Sequence, residues 1–76
     1  MNTYTFETSG PVIVASVTPT MQALGDQPWL VELSFDNPAY SPASRVIEEG
    51  CALLAAREAV QEWLERQGMP TSFIIS

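Results

Sequence analysis

Residues 29–35, Trp-Leu-Val-Glu-Leu-Ser-Phe, repeat their apolar character every second position, and this alternation strongly constrains the fold. The four odd-numbered residues are all apolar, whereas Glu32 and Ser34 are polar. A repeat of two residues places the apolar side chains on one face of an extended strand. The segment therefore predicts a strand with one buried face, which requires neighbouring strands and a covering layer.

Two segments near the start of the chain also have strand patterns. Residues 3–8 alternate between polar and aromatic side chains, and residues 12–17 are apolar on both faces, which is typical of a central strand. Ser9-Gly10-Pro11 between them supplies a turn, so the two segments predict a hairpin. Residues 18–28 contain two prolines and a glycine and predict a long loop.

The second half of the chain predicts one long helix. Ser41 followed by Pro42 is typical of a helix start, and Gly68 with Pro70 just beyond it is typical of a helix end near Gln67. A short apolar strand over residues 72–75 follows. At 100° per residue, one broad arc of this helix contains the apolar residues Val46, Ile47, Gly50, Leu53, Leu54, Ala56, Val60, Trp63 and Leu64.

Two other features of this helix concern its contacts. Arg57 falls near the middle of the apolar arc, so we expect its stem to cover the sheet and its guanidinium to reach Glu32 or a terminal carboxylate. Ala52, Ala55 and Ala59 form a strip of small side chains beside the arc, where a second helix could approach closely.

These elements predict a single α+β domain over residues 1–76, with a small, mostly antiparallel sheet in β-β-β-α-β order covered on one face by a single long helix. The uncovered face is a candidate interface, because aliphatic residues must lie on it. We expect it to carry Thr3, Thr5, Glu7, Glu32 and Ser34, with either Ile13 and Val17 or Val12 and Val14.

The charge of the chain limits its partners. Nine acidic residues face three arginines, lysine is absent, and the net charge is −6. Such a chain repels phosphate backbones and anionic lipids, so we expect no direct nucleic-acid and no membrane binding. The negative field favours a larger protein with a basic surface, although acidity can also simply keep a small protein soluble. The lone Cys51 and the absence of a cationic leader favour a cytoplasmic location.

The residue inventory argues against catalysis. Histidine and lysine are absent, and Cys51 has no imidazole to activate it. Carboxylate-only glycosidase chemistry would need a deep cleft, which so short a chain rarely forms. We therefore expect no enzyme activity, no cofactor and no metal site.

Residues 35–40, Phe-Asp-Asn-Pro-Ala-Tyr, form a short motif that resembles the Phe-x-Asn-Pro-x-Tyr internalisation signal of endocytic receptors. In those receptors the signal lies in a flexible tail below a transmembrane helix. Here Asn-Pro-x-Tyr stands where a strand must turn, so we interpret it as a local turn between strand and helix.

The leading hypothesis is a non-catalytic, acidic protein-binding module that occupies a basic or apolar site on a larger partner. In size, acidity and α+β make-up the chain is similar to the small inhibitors that bacteriophages encode, anti-CRISPR proteins among them. That resemblance implies blockade of a nucleic-acid-handling complex. The candidate partner-binding residues are Asp26, Glu32, Asp36, Glu58, Glu62 and Glu65.

The alternative hypothesis is a structural or assembly subunit, or an antitoxin-like protein, that acts as a homodimer. Such a dimer would form through the alanine strip or through the final strand, residues 72–75.

Overall fold

The computed structural model describes residues 1–21 and 24–76. Its fold belongs to the α+β class. Its strands form one antiparallel sheet in the order β4-β3-β2-β1-β5, and the helix packs on one face of it. The prediction of a mostly antiparallel sheet covered on one face by a single helix is therefore confirmed. In chain order the elements are β1 (Asn2–Thr8), β2 (Val12–Pro19), β3 (Gln27–Phe35), β4 (Ala43–Glu49), α1 (Ala52–Arg66) and β5 (Phe73–Ile75).

Strand β4 occupies residues for which the sequence predicted the first turns of the helix. The helix instead begins at Ala52, with Cys51 as its N-cap, so the predicted start at Ser41 is wrong. Residues 43–49 include the β-branched pair Val46-Ile47, which favours extended backbone. They pair with β3 along the whole strand. The predicted helix end is confirmed, because Gln67 is the C-cap and Gly68 has a φ of 71°.

Because α1 starts later, it buries a different face from the predicted one. Counting residues 43–50 as helical rotated the predicted apolar arc by about 100°. Leu54, inside that arc, is 47% exposed. The alanine strip is buried against the sheet, so the expectation that a second helix could approach along it is wrong. The buried helix residues are Ala52, Ala55, Ala56, Ala59, Val60, Trp63 and Leu64.

The core lies between α1 and the large side chains of the sheet. Phe6 packs edge-on against Phe73 with 5.0 Å between ring centroids, and the Arg57 guanidinium lies 5.8 Å from the centre of the Phe73 ring. Arg57 does not reach Glu32, because Glu32 lies on the other face of the sheet. The buried sheet residues are Phe6, Ile13, Ala15, Val17, Val31, Leu33 and Ile47.

The Phe-Asp-Asn-Pro-Ala-Tyr motif forms the turn between β3 and β4. The Asn37 side-chain oxygen accepts a hydrogen bond from the Ala39 N–H at 2.9 Å, and the Tyr40 N–H donates to the Asn37 carbonyl at 3.1 Å. Phe35 and Tyr40 pack against Trp63, with 4.5 and 5.1 Å between ring centroids. The interpretation as a local turn is confirmed, and the turn leads into a strand and not into the helix.

Replacing Ala55 with leucine tests whether the alanine face of α1 lies against the sheet. Ala55 is fully buried, so the added volume should lower the free energy of unfolding by about 1–3 kcal/mol in urea denaturation. The control Gln61→Leu adds an apolar side chain on the exposed side of the same helix and should stay within about 0.5 kcal/mol. Equal stability of the two variants would contradict this packing.

Candidate functional site

The face of the sheet opposite α1, which we call the open face, is covered by no element of residues 1–21 and 24–76. Residues directly opposite each other on neighbouring strands point to the same face, so the register identifies its members. They are Thr3, Thr5, Glu7, Val12, Val14, Ser16, Thr18, Pro28, Leu30, Glu32, Ser34, Ser44, Val46, Glu48 and Ile74.

This membership confirms the predicted content of the uncovered face. All of the polar residues expected there are present. Of the two aliphatic pairs that the sequence left open, Val12 and Val14 lie on the open face, whereas Ile13 and Val17 are fully buried in the core.

An apolar pair with a carboxylate on either side lies near the β4 edge of the open face. Leu30 and Val46 are directly opposite each other on β3 and β4, and Val46 is 56% exposed. Glu32 follows Leu30 along β3, and Glu48 follows Val46 along β4, each about 7 Å away. Both carboxylates are exposed. An aliphatic strip between two carboxylates suits a lysine or arginine side chain, whose stem is apolar and whose head is cationic.

The arginines all lie on the other side of the sheet. Arg45 belongs to the helix-facing side of β4 and forms an ion pair with Glu62 of α1, while Arg57 and Arg66 are on α1 itself. The open face, in contrast, carries the carboxylates of Glu7, Glu32 and Glu48 and no base. The open face thus has three carboxylates with no arginine to offset them, whereas the four glutamates of the helix side are accompanied by three arginines.

The structure does not bring the six candidate acids together. Glu32 is on the open face, and the three helix glutamates are on the opposite side of the sheet. Asp26 and Asp36 flank the two ends of β3, about 30 Å apart. The Asp36 Oδ1 accepts a hydrogen bond from the Val12 N–H at 3.0 Å, and the Asp36 N–H donates to the Val12 carbonyl at 3.2 Å. Asp36 therefore joins the ends of β2 and β3.

Two of the helix glutamates interact with β4. Glu62 pairs with Arg45. A side-chain hydrogen bond with Glu49 raises the pKa of Glu58, and partial burial and the negative charge of Glu49 raise it further, whereas Arg45 lowers it. Glu65 is exposed on the same helix. Glu58 and Glu62 therefore lie near Arg45, whereas the acids of the open face have no arginine on their side of the sheet.

Glu7 and Glu48 belong to the open face, although neither was among the candidate residues. In a helix that began at Ser41, Glu48 would lie opposite the apolar arc, and only the strand conformation of residues 43–49 places it on the sheet. The β-branched pair Val46-Ile47, followed closely by Gly50, was the signal in the sequence for a strand at this position.

Three depressions lie elsewhere on the surface of the part of the chain that the structure describes, and the two larger ones are open to solvent. One, of about 420 Å³, is lined by Glu49, Leu54, Arg57, Glu58 and Gln61, and the other, of about 300 Å³, lies beside β1 and β5. A depression between β3, β4 and α1, lined by Val31, Leu33 and Arg45 among others, has a volume of about 10 Å³, about enough for one water molecule. Within residues 1–21 and 24–76, no three acidic or cysteine side chains are grouped as metal ligands. No helix in the same residues combines the length and apolar character needed to cross a membrane.

Comparison of the chain with protein-family models, with curated proteins and with solved structures finds no match.

Replacing Glu58 with glutamine tests the contact between Glu58 and Glu49. A carboxyl whose pKa is raised by folding contributes stability when protonated and loses it as the pH rises through that pKa. At pH 7 Glu58→Gln should therefore raise the melting temperature by about 1–3 °C, since like-charge contacts cost a few tenths of a kcal/mol. The gain should shrink as the pH falls below the ordinary value of 4.5.

The matched control is Glu65→Gln, which removes the same charge from an exposed position of the same helix. Differential scanning calorimetry over a series of pH values would compare the two variants. A Glu58→Gln protein that is less stable than the wild type at neutral pH would show that the two carboxylates do not repel each other.

Proposed function

We propose that the protein is a non-catalytic protein-binding module whose open face binds a larger protein with basic and apolar surface. One observation carries this proposal: the open face holds the Leu30–Val46 pair between the carboxylates of Glu32 and Glu48, while all three arginines lie on the other side of the sheet.

The shape of the open face favours a macromolecular partner over a small molecule. Small-molecule sites are concave and enclose most of their ligand, whereas one side of a sheet presents a broad surface. Covering its aliphatic side chains with a partner lowers the free energy of the complex. Its carboxylates select partners that supply lysine or arginine.

The same charge argument supports a narrower proposal about the partner. Proteins that hold nucleic acid do so with lysine and arginine side chains that neutralise phosphates. A surface with three carboxylates and no base is complementary to such a site. We therefore propose that the module inhibits a nucleic-acid-handling complex by occupying its basic site, in the manner of the phage-encoded anti-CRISPR-like inhibitors. A cytoplasmic site of action agrees with the exposed, unpaired Cys51.

Charge reversal on the two sides of the sheet tests which surface binds. The variant Glu32→Lys/Glu48→Lys changes the open face, and the matched control Glu58→Lys/Glu65→Lys makes the same change in net charge on the helix. Affinity capture with quantitative mass spectrometry should retain the partner on the wild type and on the helix variant. The open-face variant should lose at least about 90% of it, a tenfold weakening that corresponds to about 1.4 kcal/mol. Loss with the helix variant alone would assign binding to α1.

A competition measurement tests the narrower proposal. The wild-type chain should displace a labelled oligonucleotide from the purified partner, and the open-face variant should not. The isolated chain should not bind the oligonucleotide itself, since it has no cationic surface to neutralise phosphates. Binding of the isolated chain that weakens steeply with salt would contradict the proposal.

A further inference from the structure

Strand β4 is a free edge of the sheet. All seven of its residues pair with β3, which lies on one side of it. No strand pairs with its other side, and within residues 1–21 and 24–76 no loop or turn forms a backbone hydrogen bond with it. A row of unpaired N–H and C=O groups is a template for another strand. The opposite edge, β5, has only three residues and offers a much shorter template.

Strand β4 carries three charged residues, Arg45, Glu48 and Glu49, but lacks other devices that protect edge strands. It contains neither proline nor lysine. Arg45, the cation on its helix side, forms an ion pair with Glu62 of α1 in the same chain. It therefore leaves no unpaired charge there that would discourage another strand from pairing with β4. The middle residue of the strand, Val46, is exposed and adds apolar surface at the edge.

The charges of β4 are complementary to a second copy of the same strand. Arg45 and Glu49 both lie on the helix side of the sheet, two residues before and two residues after Ile47. In an antiparallel pair of β4 strands related by a two-fold axis at Ile47, each Arg45 lies directly opposite Glu49 of the other copy. A symmetric interface makes this pair twice.

A second copy would also relieve a repulsion within the chain. Glu49 and Glu58 approach each other closely enough to raise the pKa of Glu58, and Arg45 is the nearby cation of the same chain. Pairing about Ile47 brings a second arginine to Glu49. On the open face, the same register places Val46 opposite Glu48 of the other copy and diagonal to its Val46.

We propose that two copies of this chain pair through β4, in the register centred on Ile47, to form one continuous antiparallel sheet. The interface uses the edge of the sheet, so both open faces remain accessible. The dimer goes beyond the proposed partner binding and does not depend on it.

Charge-swap variants test both the interface and its register. Arg45→Glu places two glutamates opposite each other in the dimer, and Glu49→Arg places two arginines opposite each other. Each variant alone should raise the dimer dissociation constant by about tenfold or more in analytical ultracentrifugation. An equimolar mixture of the two should restore dimers, because every pair across the interface is then of opposite charge. Folded variants whose mixture stays monomeric would overturn the proposal.

Val46 provides a second test that does not disturb the Arg45–Glu62 ion pair. Val46→Glu faces Glu48 of the other copy and should weaken the dimer about tenfold or more, whereas Val46→Lys should not weaken it. If both variants weaken the dimer, Val46 lies opposite Val46 of the other copy, and the register centred on Ile47 is refuted.

The control Ile74→Glu changes the β5 edge on the same face and should not affect the dimer. If Ile74→Glu abolishes the dimer, the two copies pair through β5. A wild-type chain that stays monomeric up to about 1 mM would also overturn the proposal.

Discussion

The structure depends on one geometric constraint: among residues 1–21 and 24–76, one fifteen-residue helix packs on a five-stranded sheet, so only one side of the sheet can form a core. The helix meets this sheet with alanines, and the sheet supplies most of the large buried side chains. Small side chains on α1 allow it to lie close to β2, β3 and β4, and Trp63 fills the space beside them and stacks on Phe35. A chain this short buries only a modest share of its surface, so the second face of the sheet has to remain compatible with water.

That constraint also explains the distribution of charge. Arg45 joins β4 to Glu62 of the helix, and Arg57 covers the Phe73 ring, so cations help to attach the helix layer to the sheet. With the arginines on that side, the open face is left with carboxylates, hydroxyl groups and a few aliphatic side chains. Acidity that only kept the chain soluble would need no such separation. The separation of charge, more than the net value of −6, makes the open face a candidate interface.

Four of the five strands were predictable because their patterns are local. Alternation in residues 3–8 and 29–35 and β-branched runs in residues 12–17 show in the sequence alone. Strand β4 was not predictable in this way, because Ser41-Pro42 is a good local helix start and the pairing of residues 43–49 with β3 is not local. This one error rotated the predicted helix face and assigned Glu48 to the wrong layer.

The position of β4 links the two surfaces of the molecule. The Leu30–Val46 pair of the open face lies beside the edge at which a second copy would pair. A dimer formed there would bring two such pairs next to each other on one continuous face, with Glu32 and Glu48 of each copy around them. Linking two weak sites in this way raises the overall affinity for a partner with repeated basic side chains, because the second contact becomes intramolecular. An extended nucleic-acid-binding surface is a partner of that kind, so edge pairing and charge separation favour the same class of target.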